Sequence, residues 1–98
     1  MLGIATKAGK IVMGAEATKE AMVKQKVKLV IVATDASERT KKNMELEAEK
    51  QHCKIYQKAT IEEMSRAIGK NNKAIVGITD KQFANAMEKN INGGDVIG

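Results

Sequence analysis

Five consecutive apolar residues at 29–33, Leu-Val-Ile-Val-Ala, do most to limit what this chain can become. They do not alternate with polar residues. A strand built from them is therefore covered on both faces, as in the centre of a sheet flanked by helices. A similar run at 74–78 and shorter ones at 11–13 and 53–57 read as further strands.

The intervening segments carry helical signals. Residues 2–7 read as a short helix stopped by Gly9. A second helix runs from Gly14 to about Gln25, with Ala17, Thr18, Ala21 and Met22 toward the core. A highly charged third spans 38–50, after a turn at 34–37, with Met44 and Ala48 inward. Thr60 and Glu63 have capping-box spacing ahead of Ile61, Met64, Ala67 and Ile68, and Gly69 ends that helix. Thr79 with Gln82 reads as a further capping box before a helix lined by Phe83, Met87 and Ile91. Asn92-Gly93-Gly94 should stop that helix and leave a frayed tail at 95–98. Strands that alternate with helices, joined by crossovers, are expected to run parallel. The fold class is α/β, a sandwich with helices on both faces of a small sheet.

All 98 residues fit one domain, 1–98, with no linker, repeat or low-complexity segment. Hydrophobic residues make up 43%, enough for a core without covalent staples. Tyr56 and Phe83 are the only aromatic residues, so the core is aliphatic and methionine-rich. A base-stacking platform for single strands is excluded on the same ground. The net charge of +5 favours a polyanionic partner. One cysteine, Cys53, and one histidine, His52, leave neither a disulfide nor a zinc site. No secretory leader and no bilayer-length apolar run is present, so no membrane role is expected and the chain reads as cytoplasmic. Met1 lies directly before a helical pattern, which reads as a start with a few native residues missing.

Known chemistries fail one by one. Gly3 with Gly9-Lys10 imitates a Walker loop, but the spacing is one too long and Ile11 stands where magnesium needs a hydroxyl. Gly9 to Gly14 has the right gap but is followed by Ala15-Glu16. His52 and Cys53 are adjacent, so on a strand they point to opposite faces, with Cys53 inward and His52 at the surface. Glu45 and Glu49 read as a solvated helix face ion-paired with lysines. Glu63, Asp35 and Asp80 are explained as helix caps. No cofactor, no metal site and no enzymatic activity is expected.

The stretch from Ala8 to Glu20, AGKIVMGAEATKE, stands out instead. A backbone that turns at Gly14 straight into a helix leaves several N–H groups unpartnered at the positive end of the helix dipole. Such a place suits phosphate. Lys7, Lys10 and Lys19 flank it in sequence. Lys24, Lys58, Arg66, Lys70 and Lys73 add charge, several in turns expected near one end of the sheet. Lys10→Ala is expected to weaken binding, more at low salt.

The order LGIATKAGKIVMG, KLVIVATDASERTKK, RAIGKNNKAIVGITDKQFA resembles the YlxQ-type bacterial members of the ribosomal-protein superfamily that binds kink-turn RNA. The resemblance spans nearly the whole chain. It implies a three-layer α/β/α sandwich around a small mixed four-stranded sheet. It also implies an RNA-binding edge. There the helix after Gly14 enters the kinked RNA, the loop Lys58-Ala59-Thr60 packs on its flipped-out part, and Asp35-Ala36-Ser37 lies nearby. Family members that bind kink-turns typically carry Gly-x-Asn-Glu-x-x-Lys, or a Lys-Gln variant of the middle pair. Here Glu16, Ala17 and Glu20 occupy those places, and Glu20 puts a negative charge where a cation is usual.

The expected function is RNA binding of the ribosomal-protein type, with structured, kink-turn-like RNA and the ribosome as partners. The expected contacts are Lys7, Lys10, Gly14, Ala15, Glu16, Ala17, Lys19, Glu20, Ser37, Lys58, Ala59 and Lys70. The alternative is a ribosome-assembly or protein-interaction accessory touching RNA only non-specifically.

Overall fold

A computed structural model describes residues 2–92. The run at 29–33 forms β2 (Leu29–Val32), every residue of which is buried. It lies inside a four-stranded sheet together with β1 (Ile11–Met13), β3 (Lys54–Gln57) and β4 (Ile75–Ile78). The strand order is β1-β4-β2-β3. The last strand in sequence therefore sits between the first and the second. β2 and β3 are parallel, as expected for strands joined through a helix. β4 runs antiparallel to both its neighbours, β1 and β2.

The expectation of parallel pairing thus fails for β4. The helix before it, α4 (Ile61–Ile68), is short, and residues 69–74 carry the chain back to the end of the sheet that β3 had reached. β4 therefore begins where β3 finished. The sheet is mixed, and the molecule is the expected three-layer α/β/α sandwich.

The two faces are separated by register. Val12, Gly77, Val30, Ile55 and Gln57 point one way, toward α2 (Ala15–Val23) and α3 (Glu38–Lys50). α2 comes closest at Gly77. A Cβ there would lie 2.9 Å from Val12 Cγ2 and 3.1 Å from Thr18 Cγ2. Leu29, Ile31, Tyr56 and Ile78 point the other way, and α5 (Lys81–Asn92) lies over that face, with Glu88 accepting from Tyr56 Oη at 2.7 Å. α1 (Leu2–Lys7) packs against α4.

Caps explain most helix boundaries. Thr60 and Glu63 form the expected reciprocal box, and Gly69 closes α4 in the left-handed conformation. Ser37 caps α3 by accepting from Thr40 N–H. Two caps differ from expectation. The Thr79–Gln82 box does not form; Asp80, itself expected as a cap, holds α5 alone, accepting from Phe83 N–H at 3.0 Å. Asp35 caps α4 rather than the helix that follows it, accepting from Ile61 N–H at 2.8 Å. Ala17 is exposed, because Thr18, Ala21 and Met22 alone fill the contact with the sheet. Cys53 is half-buried just ahead of β3, and His52 is exposed. Glu45 bonds the Gln57 amide, and neither it nor Glu49 pairs with a lysine among the described residues. The stop at Gly93-Gly94 and the tail at 95–98 lie outside the described residues.

Candidate nucleic-acid interface

Gly14 has φ 88° and ψ 162°, a region essentially reserved for glycine. Its N–H donates to Ile75 O, so the C-terminal end of β1 is fixed to the start of β4. Its carbonyl accepts from Thr18 N–H, the first bond of α2. The N–H groups of Ala15, Glu16 and Ala17 have no acceptor among the described residues, and all three side chains are exposed. α3 and α4 begin at the same end of the sheet and have side-chain caps; α2 has none. A Cβ at position 14 would meet nothing within 4 Å, so the backbone lies open to approach.

Three loops share this end of the sheet, tied to one another by main-chain bonds. Ala33 N–H donates to Ala74 O, Thr34 N–H to Ala59 O and Lys58 N–H to Val32 O. The Thr34 hydroxyl adds a second bond to Ala59 O. Ser65 Oγ accepts from Lys73 N–H and donates to Lys73 O, which pins the loop 69–74. Ala59 holds φ +66°, a left-handed conformation enforced by these ties. At ~4.8 Å per strand the platform from Gly14 to Lys58 is about 14 Å wide. Beside it lies a groove of about 620 Å³ whose wall includes Asp35, Ile61, Arg66, Lys70, Asn71 and Asn72.

The expected contacts divide between two places. Gly14, Ala15, Glu16, Ala17, Ser37, Lys58, Ala59 and Lys70 come to this end. Ser37 Oγ is already engaged with Thr40. Lys19 is half-buried one turn further along α2. Glu20 bonds Lys24 Nζ at 3.0 Å, and that hydrogen bond holds its carboxyl below the usual range. Lys7 and Lys10 lie at the opposite end of β1, where Lys10 O accepts from Thr79 N–H. Four residues at ~3.3 Å each put Lys10 about 13 Å from Gly14. Neighbours in sequence are thus separated by the strand between them, and the expected basic contacts do not share one end.

Asn71, Asn72 and Ile61 were absent from the expected set. Their signal was the polar Lys-Asn-Asn-Lys stretch, legible as a loop but not as a groove wall. Charge at this end is nearly balanced. Lys58, Lys70, Lys73 and Arg39 are offset by Glu16, Asp35 and Glu63, while Arg66 pairs with Glu62 and Lys41 with Glu38. Among the described residues no cluster of three or more His, Cys, Asp or Glu could hold a metal, and no helix is long and apolar enough to cross a membrane.

Comparison with known proteins agrees with this fold. Residues 1–88 match the ribosomal protein L7Ae/L30e/S12e/Gadd45 family. An Enterococcus faecium protein named RNA-binding protein YlxQ is 34% identical over 93 residues, covering 95% of this chain and 89% of its own length. Its Bacillus subtilis namesake is 29% identical over 87 residues, 89% of this chain and 87% of its own length. A Bacillus halodurans structure described as a protein with unknown function superposes with TM-score 0.90 at 27% identity, covering 93% of this chain and 92% of that one. A Giardia lamblia 15.5kD RNA binding protein superposes with TM-score 0.77 at 18% identity, over 95% and 79%, which speaks to the fold alone.

Proposed function

Because the chain belongs to the ribosomal protein L7Ae/L30e/S12e/Gadd45 family, we propose that it binds RNA, through Gly14 and the loops tied around it. The observation that carries this reading is the uncapped, glycine-led start of α2 beside an open groove. A phosphate or base acceptor approaching Gly14 meets no side chain and is met by the N–H groups of Ala15, Glu16 and Ala17. Lys58, Lys70 and Lys73 attract the backbone. The Asn71 and Asn72 amides are able to read base edges, and the adjoining groove receives a nucleotide turned out of the helix. Without aromatic rings in this region, recognition depends on shape, which suits irregular RNA such as a kink-turn.

Anisotropy titration with a kink-turn RNA and with a straight duplex of the same length tests this. The expected result is tighter binding of the kinked RNA, by about tenfold or more, a difference of ~1.4 kcal/mol. Equal, weak binding of both would remove kink-turn recognition. One observation favours a second reading, a ribosome-assembly or protein-interaction accessory: the near balance of charge at this end, with Glu16 exposed at the helix start. Partners that survive RNase treatment of a cell extract would support it.

A further inference from the structure

The excess positive charge lies at the other end of the sheet. Lys10 precedes β1 and Lys28 precedes β2, and the first residues of those strands, Ile11 and Leu29, flank Ile78 in register. Lys10 and Lys28 are therefore two strands apart, about 10 Å. A cleft of about 400 Å³ on the far side of Lys28 from Lys10 is lined in part by Lys28, His52, Cys53, Lys54, Lys81 and Glu88. Lys7, Lys26 and the other lysines of this end are exposed. Of the carboxylates here, Glu88 pairs with Lys54 and Asp80 caps α5, while Glu49 in the last turn of α3 is exposed and pairs with no lysine among the described residues. Lys7, Lys10, Lys26, Lys28 and Lys81 pair with no carboxylate among the described residues.

Helix dipoles account for part of this pattern only. A cation in a last turn is favourable, which explains Lys7 on α1. Lys10 and Lys28 lie just before strands, and Lys81 opens α5, where the dipole opposes a cation and the only carboxylate beside it, Asp80, is bonded to the Phe83 N–H. Folding thus gains nothing evident from Lys10, Lys28 and Lys81. The surface also lacks the apolar centre typical of protein interfaces, since Val27, Leu29 and Ala84 beneath it are buried. An open row of cations without rings or an apolar patch fits a phosphate backbone, read without regard to sequence.

We propose that this end is a second RNA-binding surface, so that the protein bridges two RNA segments, one at Gly14 and a helical one across Lys10, Lys28 and Lys81. This goes beyond the reading above, which concerns the Gly14 end alone.

The test uses the full chain, a fluorescent blunt RNA duplex and an unlabelled kink-turn RNA. The duplex should bind in the presence of saturating kink-turn RNA, with a ternary complex visible in sedimentation velocity. Lys28→Glu/Lys81→Glu should weaken duplex binding by about tenfold or more and lower its log–log salt slope by roughly one unit or more. The same variant should leave kink-turn affinity within about twofold, given the strand length between the two ends. Lys28→Gln/Lys81→Gln, checked by thermal melting, replaces it should charge reversal unfold the protein. Unchanged duplex binding in these variants, or one-for-one displacement of either RNA by the other, overturns the proposal. So does polyglutamate that displaces the duplex as well as RNA does, since the surface then takes acidic protein. Failure of the Gly14 reading looks different: kink-turn RNA binds no better than duplex, while the Lys28 and Lys81 exchanges still weaken both.

Discussion

The Asp35 carboxylate accepts a hydrogen bond at 2.8 Å from the N–H of Ile61, 26 residues away. One side chain from the loop after β2 thereby supplies a cap to α4 and joins two walls of the groove next to Gly14. Thr60 and Glu63 satisfy their own donors, so the Ile61 N–H depends on Asp35.

Asp35→Ala should therefore lower stability by about 1 kcal/mol, the usual cost of a lost cap. Asp35→Asn keeps an acceptor oxygen and should lose less. Urea denaturation measures both, and hydrogen exchange at Ile61 should speed up in the alanine variant. Equal stability of wild type and Asp35→Ala would show that the bond contributes nothing.

Gly14→Ala places a Cβ on a backbone with φ 88° and ψ 162°. The strain is about 1–3 kcal/mol. The prediction is a lower melting temperature together with loss of RNA affinity, because the methyl also stands where a ligand approaches. Retained affinity in a destabilised variant would separate the two effects and move the RNA contact away from Gly14.

Thr18 is fully buried, and its hydroxyl has no hydrogen-bond partner among the described residues. Thr18→Val keeps the shape and removes an orphaned polar group, so it should stabilise by about 1 kcal/mol. Its neighbour Gly77 gives the opposite result. Gly77→Ala pushes a methyl against Val12 and Thr18 and should cost about 1–3 kcal/mol. The pair should be non-additive because the two sites touch. Thermal melts of the two single variants and the double variant decide this.

Glu88 links α5 to β3. Hydrogen bonds from Tyr56 Oη and Lys54 Nζ hold its carboxyl below the ordinary glutamate value, and Glu88 raises the Lys54 ammonium above its own. A depressed carboxyl stabilises the fold above its unfolded pKa and ceases to do so as pH falls through the folded one. Glu88→Gln should thus be less stable than wild type near neutrality, with the difference shrinking in acid. The Lys54 share is lost at the other extreme, as pH rises through its elevated folded pKa. Melting temperatures of both proteins across the acid range test the sign, and a difference independent of pH would refute the assignment.

Much of the fold could be read before any coordinates. The unbroken apolar run at 29–33 identified a central strand, and Thr60, Glu63 and Gly69 marked both ends of α4, because these features depend on local chemistry. What depended on distant contacts was hidden. Periodicity carries no strand direction, so the reversal of β4 by residues 69–74 was invisible. Ala17 and Thr18 both looked able to face inward; only the close approach of α2 to Gly77 decides between them. Lys10 is four residues from Gly14, and adjacency in sequence suggested one site. A strand in between turns that adjacency into opposite ends of a sheet.

The position of β4 between β1 and β2 also dictates an order of events during synthesis. β2 and β3 have each other as partners once residue 57 is made, whereas β1 must wait for a strand more than sixty residues further along the chain. Contacts so distant in sequence form late, after the closure entropy of a long loop has been met. A nascent chain halted before residue 75 therefore has half a sheet and a β1 segment without a partner strand. The bond that fixes Gly14, from its N–H to Ile75 O, is then absent. The last strand to leave the ribosome completes the structure that gives the protein's first glycine-led helix its fixed start.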